Sequence, residues 1–368
     1  MDSKVRVIAI YLPQFHPIPE NDEWWGKGFT EWTNVGKAKP LFRGHYQPRV
    51  PADLGYYDLR VPEVREAQAN MAREHGIEGF CYWHYWFGNG KRLLERPFNE
   101  VLASGKPDYP FCLAWANETW KGFAHGLKNR NVLIEQLYPG VEDYTAHFYE
   151  ILPAFKDKRY IRVDDKPLFM IYKPLADPEV LVFMETWRKL ATDNGLPGIY
   201  FVGHNNNPKD SVEDILRTGV DAVNTVRLQQ YIFFHRNFYQ KVKDRLNKLF
   251  RGVPYVFSYK EMSKYFIDQE IDSRVNIFPS IIPGWDHTPR SGKDGLVISD
   301  SDPVLFGKHV ENVLSLLEKK PEENQIVFIK SWNEWAEGNY LEPDLKYGLR
   351  FLKVLKEKLD CFISRVNL

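Results

Sequence analysis

The sequence predicts an α/β chain folded as a single (β/α)8 TIM barrel with elaborated βα loops, one domain over residues 1–368. Three observations predict it. Eight short apolar, β-branched or aromatic runs recur, at 5–12, 79–85, 111–116, 167–172, 199–203, 222–226, 275–282 and 325–330, as parallel strands buried on both faces should. Helix-like segments separate most of them, and that alternation favours a closed barrel over an open doubly wound sheet. Each run also ends in a polar or aromatic cluster, where a barrel carries its functional groups.

The helical segments follow from local signals. Residues 62–75 start with Pro62 at a first helical position, repeat apolar residues at helical spacing and stop at Gly76. Similar patterns predict helices at 141–155, 178–194, 211–218, 259–269, 303–319 and 345–359. Residues 13–51 break the rhythm: they are rich in Pro, Gly and Trp, show no sustained period, and read as a long first βα loop bordering a cleft. Residues 233–251 interleave Arg236, Lys241, Lys243, Arg245, Lys248 and Arg251 with Phe238, Val242, Leu246 and Leu249. The ordinary reading of such a run is a solvated helix face, and the alternative over 236–251 is a weak contact with a membrane surface or a lipid-linked glycan.

Lys plus Arg and Asp plus Glu both number 49, so no global field favours nucleic acid as a partner. Cys81, Cys112 and Cys361 are too scattered for a disulfide framework and read as reduced core thiols. The run from Met1 to Arg6 passes into a strand without a signal-like segment, and no stretch has the length of a membrane span, so the expected compartment is the cytoplasm. Aromatic residues make up 15% of the chain, many at segment ends, which suits a cleft that stacks sugar rings.

The chemistry concentrates near the C-terminus. After the last strand-like run the chain reads Ser331-Trp332-Asn333-Glu334-Trp335-Ala336-Glu337-Gly338, followed by Leu341-Glu342-Pro343. Two carboxylates beside aromatic rings are what glycosidic-bond cleavage asks for, one carboxyl to give a proton and one to work on the sugar. The bland alternative is two acids in the first turn of a helix, favoured there by the macrodipole. The preceding strand, the Trp frame and the third acid Glu342 favour the catalytic reading. Earlier strand ends add Tyr11, Gln14 and His16; Tyr82, Trp83, His84, Tyr85 and Trp86; Trp115, Asn117, Glu118 and Trp120. Later ones add Tyr172 and Lys173, His204 to Asn206, Asn224 and Thr225, and Trp285, Asp286 and His287. The substrate-binding set expected among these and the last motif is Tyr11, His16, Trp83, His84, Trp86, Trp115, Asn117, Glu118, His204, Trp285, Asp286, Asn333, Trp335 and Glu342.

The Ser331–Gly338 motif with Leu341-Glu342-Pro343 resembles the catalytic signature of family 99 glycoside hydrolases, which are endo-α-mannosidases. With Ile10-Tyr11-Leu12-Pro13-Gln14-Phe15-His16, Tyr82-Trp83-His84-Tyr85-Trp86 and Trp115-Ala116-Asn117-Glu118, the whole chain resembles the WbsX-type proteins of bacterial surface-polysaccharide loci, often labelled glycosyltransferases. The resemblance implies a family-99-like barrel and a retaining α-glycosidase or transglycosidase. It implies Glu334 as the base on the sugar 2-hydroxyl, Glu337 as the general acid, a 1,2-anhydro sugar as intermediate, an oligosaccharide or polysaccharide as substrate, and no cofactor. The sequence departs from the hydrolases around Asn117-Glu118 and in its long first loop, leaving sugar and net direction open.

Other classes leave weaker traces. A metal-dependent nucleotide-sugar transferase wants Asp-x-Asp, and Asp300-Ser301-Asp302 has that spelling but precedes Pro303 and a helix, where such residues cap. No Gly-rich phosphate loop occurs. A metallohydrolase would gather His16, His84, His125, His204 and His287, whose spacings match no standard ligand pattern. A binding module without catalysis needs no acid pair, and the pair is present.

Overall fold

The computed structural model describes residues 5–122, 127 and 131–366; residues 1–4, which open the N-terminal run, and His125 lie outside them. Eight strands, β1 (Arg6–Tyr11), β2 (Gly79–Trp86), β3 (Phe111–Trp115), β4 (Lys166–Ile171), β5 (Tyr200–Asn205), β6 (Ala222–Thr225), β7 (Ile277–Ile281) and β8 (Ile326–Ile329), pair in chain order. All eight pairings are parallel, and Ile8 on β1 stands opposite both Gly79 and Phe328, which closes the barrel. The strands coincide with the eight apolar runs because burial on both faces forces that composition. Gly79 serves a close approach: a Cβ there would stand 2.4 Å from the Pro110 carbonyl oxygen.

The helices are α1 (Pro19–Trp25), α2 (Glu31–Lys37), α3 (Pro62–Glu74), α4 (Arg96–Ser104), α5 (Val141–Phe155), α6 (Glu179–Asp193), α7 (Val212–Arg217), α8 (Phe238–Arg251), α9 (Tyr259–Met262), α10 (Thr288–Ser291), α11 (Pro303–Leu317) and α12 (Arg350–Val366). Three sequence expectations change, and α4 is a helix that no sequence expectation covered. The first loop contains α1 and α2, each seven residues and too short for a period to show. In α4, Pro97 and Gly105 punctuate like a loop but serve as a first-turn proline and a left-handed C-terminal stop at φ 72°. The helix expected at 259–269 stops at Met262 and continues as a 3-10 turn, Ser263–Tyr265. The helix expected from residue 345 starts at Arg350, because Asp344 binds the Tyr347 and Gly348 amides in a turn.

Asp302 accepts the Leu305 N–H at 2.8 Å with Pro303 in the first turn, so the 300–302 segment caps α11. Beside the barrel mouth, Tyr255–Ser258, Leu296–Ser299 and Trp285–Asp286 form a three-stranded sheet from the β6–β7 and β7–β8 connections. Cys81 and Cys112 are buried in register on β2 and β3, whereas Cys361 is exposed on α12 and is no core thiol. Among the described residues no helix is long and apolar enough to cross a membrane.

Candidate active site

Both acids of the C-terminal motif come from one hairpin beyond β8. Asn333–Glu334 pairs antiparallel with Asn339–Tyr340, and Trp335–Glu337 form a 3-10 turn between them. Neither acid therefore starts an α-helix. Gly338 closes the turn at φ 57°, and a Cβ there would meet Asp286 Cβ at 2.7 Å. Asn333 fixes the hairpin to the end of β1, accepting the Leu12 N–H at 2.7 Å and donating to the Leu12 carbonyl at 3.0 Å.

The hairpin turns Glu334 and Glu337 into a cleft of about 220 Å³ lined also by Gln14, Trp83, Tyr85, Glu118, Tyr172, Trp285, Arg290 and Lys330. Glu334 is the deeper acid, with 7% of its side chain exposed against 15% for Glu337. Trp83 donates its indole N–H to Glu334 Oε1 at 3.3 Å, and Glu334 Oε2 has no hydrogen-bond partner. Burial, followed by repulsion from Glu337, pushes the Glu334 carboxyl up to about 7, against the opposing pull of Arg290 and Lys330. Lys330 Nζ also lies 5.9 Å from the centre of the Trp83 ring.

Arg290, on α10, gathers three carboxylates. It donates to Glu337 Oε1 at 2.6 Å, to Glu31 Oε2 through Nε at 3.1 Å and Nη2 at 3.0 Å, and stands 3.5 Å from Glu334 Oε2. Glu31 arrives from α2, whose N-cap is Thr30. Sequence reasoning passed over Arg290, Glu31 and Lys330, and placed Tyr85 in a strand-end cluster without assigning it to the site. Their only sequence signal is position: Lys330 directly follows β8 and Arg290 lies three residues beyond His287.

The expected binding residues divide by strand alternation. On β2, Trp83 and Tyr85 face the cleft, while His84 and Trp86 point outward to α5. His84 Nε2 lies 2.7 Å from His147 Nε2, and Trp86 stacks on His147 and donates to Asp143. Trp115 likewise turns outward, 4.6 Å from Phe183 on α6, with its N–H on the Trp86 carbonyl. These three therefore stand outside the cleft. Asn117 ties the β3 and β4 ends together through both backbone groups of Lys173. Glu118 lines the cleft and pairs with Lys173 at 2.6 Å.

His204 packs edge-on to Trp83, donates to Asn224 at 2.7 Å, is pushed down to about 3 by burial, and lines the adjoining cavity with Tyr172 and Asn206. His16 is buried with Nδ1 on the Pro13 carbonyl. Asp286 is buried behind the hairpin, accepting from Gln47 and Thr288 and bonded to His45, beside a second cavity of about 260 Å³.

The side chains of Asn333 and Trp335, which belong to the hairpin, join Tyr11 and Glu342 on the side away from the cleft. Tyr11 donates to Gln68, and Glu342 accepts from Gln68 at 2.6 Å, from Tyr57 at 2.8 Å and from Trp335 at 2.6 Å. Asn333 reaches the same Tyr57 hydroxyl. This network supports the acids from below. Trp285, half-buried, is the second tryptophan of the expected set that lines the cleft.

Among the described residues, the histidines considered as metal ligands do not assemble: His84 and His204 take separate partners, and no group of three or more His, Cys, Asp or Glu side chains is placed to hold an ion.

The family described as glycosyltransferase WbsX matches residues 7–355. Two proteins named WxcX and described as uncharacterized, from Xanthomonas campestris pv. campestris strains B100 and ATCC 33913, are each 38% identical over 359 residues, covering 96% of this chain and 49% of their own length. The chain thus spans about half the length of these curated relatives. Among solved structures, the GH99 endo-alpha-mannosidase from Bacteroides thetaiotaomicron aligns over 99% of each chain at a TM-score of 0.57 and 16% identity. A glycoside hydrolase-like protein aligns over 97% of this chain and 94% of its own, also at 0.57 and 16%. At that identity the likeness concerns the barrel fold.

Proposed function

We propose that this chain, which belongs to the glycosyltransferase WbsX family, is a glycan-active enzyme that works on a preformed α-glycosidic bond through Glu334 and Glu337. One observation carries the reading: two carboxylates from one hairpin enter the same tryptophan-lined cleft, the deeper of them pushed up to about 7. A base is most effective when its affinity for protons matches the working pH, and Glu334 Oε2, buried and 3.5 Å from Arg290, accepts no hydrogen bond. In this proposal Glu334 Oε2 takes the proton of the sugar 2-hydroxyl, and that oxygen attacks the anomeric carbon. Glu337, nearer the mouth, passes a proton to the leaving oxygen. Trp83 and Trp285 hold pyranose faces, and Arg290 fixes both acids while opposing their mutual repulsion. Water or a sugar hydroxyl then opens the 1,2-anhydro ring at the anomeric carbon, giving its proton to Glu337 while Glu334 returns its proton to the sugar O2. Two inversions thus retain the anomeric configuration, and the substrate class is a bacterial surface polysaccharide or a related α-linked glycan.

The description of the family favours a second reading, a glycosyltransferase in polysaccharide assembly. One experiment separates the two: α-linked oligosaccharides are incubated with the protein in EDTA, with and without nucleotide sugars, and the first-formed anomer is followed by NMR. Hydrolysis or transfer with retention and no nucleotide is expected. A strict need for a nucleotide sugar assigns the transferase class, and inversion removes the 1,2-anhydro route.

A further inference from the structure

Helix α8 is turned inside out. Phe238, Tyr239, Val242, Leu246, Leu249 and Phe250 fall within one arc of about 120° at 100° per residue, and all six are exposed, between 38% and 82%. Its polar side is the packed one. Asp244 pairs with Arg236 at 2.6 Å, Lys248 reaches Asp294 at 3.0 Å and lies over the Tyr255 ring, and Gln240 donates to the Tyr231 hydroxyl. An amphipathic helix serving only its own domain buries the opposite face. Phe233 and Phe234, on the turn leading into α8, are exposed as well.

We propose that this face docks the protein on a bilayer surface carrying anionic phospholipid. The charge pattern selects that occupant. Residues 236–251 hold six bases and a single acid, Asp244, which Arg236 occupies, although the chain as a whole is neutral. Lys241 and Arg245 are exposed beside the arc, the arrangement of a helix that lies in the headgroup plane with aromatic and aliphatic residues below it. A second copy meeting the same face across a twofold axis brings like charge to like charge. Attachment is to the surface, since α8 has 14 residues and only its outer arc is apolar.

The placement links this surface to the cleft. Helix α8 rests through Lys248 on Tyr255 of the strand Tyr255–Ser258, which pairs with Leu296–Ser299, which pairs in turn with Trp285–Asp286, and Trp285 lines the cleft. Docking through α8 brings the barrel mouth close to the headgroups, where a glycan on a lipid carrier is presented.

The test needs no substrate, so it is independent of the catalytic reading. The full chain is floated with phosphatidylcholine vesicles with and without phosphatidylglycerol, at low and high salt. Co-flotation with the anionic vesicles is expected, weakened several-fold by salt. It should be lost in Leu249→Ser/Phe250→Ser and reduced in Lys241→Glu/Arg245→Glu, with unchanged melting temperatures. Light scattering of the same samples reports the oligomeric state. Absence of flotation by the wild-type chain overturns the proposal, as does equal flotation by the serine variant. A dimer that the serine variant dissolves assigns the face to self-association instead.

Discussion

Arg290 donates to Glu337 Oε1 at 2.6 Å while the same guanidinium stands 3.5 Å from Glu334 Oε2. With Glu31 on its far side, one cation faces three carboxylates at a site nearly closed to water. The arrangement holds the acid pair together against its own repulsion and moderates the rise in the Glu334 carboxyl.

Replacing Arg290 by Met should therefore raise Glu334 further, because a favourable charge is lost and the Glu337 repulsion is not. The acidic limb of the pH–rate profile, expected near pH 7 in the wild type, should shift to higher pH. Folding stability should fall by about 3–5 kcal/mol, the usual cost of orphaning a buried ion-pair partner. Lysine should restore little, since Glu31 is held through two guanidinium nitrogens. An unmoved acidic limb in R290M removes Arg290 as the residue that sets Glu334.

Glu334→Gln and Glu337→Gln should each lower kcat by about 10²–10⁴ with the fold intact, the range for losing an acid or base. Glu334→Gln should barely move the melting temperature, as the swap is nearly isosteric and Glu334 Oε2 gives up no hydrogen bond. Glu337→Gln keeps an oxygen to accept from Arg290 but loses the charge of that pair, so its melting temperature should fall more. Wild-type turnover on a natural glycan by either variant dissolves the pair assignment.

Much of the frame was legible in the sequence because a barrel strand advertises itself: burial on both faces leaves a short run of apolar residues, and all eight runs became strands. The acid pair was legible because it sits in one contiguous segment. What stayed hidden needed either the third dimension or a finer period. In the run from Tyr82 to Trp86, alternate residues face opposite ways, so a cluster that reads as one site divides between the cleft and the α5 contact. Glu31 and Arg290 are 259 residues apart and meet only because the first loop folds over the β7–β8 connection. Nothing near either residue marks it. Helix α8 hid differently, since its period was visible and the side it would present was not.

That division of aromatic residues is itself testable. Trp83→Ala and Trp285→Ala should weaken glycan affinity by roughly 1–3 kcal/mol, the range for a lost stacking contact, with a small effect on stability at half-buried Trp285 and an added loss of stability at Trp83, which is 7% exposed. Trp115→Ala should do the reverse, costing about 3–5 kcal/mol of folding free energy with little direct effect on affinity, because its ring fills the layer between β3 and α6. Calorimetric titration beside thermal unfolding distinguishes the two groups, and loss of stability without loss of affinity at Trp83 would make it a packing residue.

The buried carboxyl of Glu342 makes the last prediction, one about pH. Burial pushes it from an ordinary 4.5 to about 7, against the hydrogen bonds from Trp335, Gln68 and Tyr57 that favour its ionised form. Below about pH 4.5 the group is protonated in both folded and unfolded chains and contributes no pH dependence. Between about 4.5 and 7 the unfolded chain has released this proton and the folded chain still holds it, so stability falls as pH rises through that window. At about 1.36 kcal/mol per pH unit the total loss is roughly 3 kcal/mol, complete above pH 7. Glu342→Gln cannot ionise. Its carbonyl oxygen can still accept from Trp335 and Tyr57, and its amide can meet a rotated Gln68, so the variant should fold. Urea unfolding of both proteins from pH 4.5 to 8 should show the variant gaining on the wild type as pH rises, with the gain levelling off near pH 8. Parallel curves across that range would mean that Glu342 is ionised in the folded protein throughout, and that its three donors outweigh its burial.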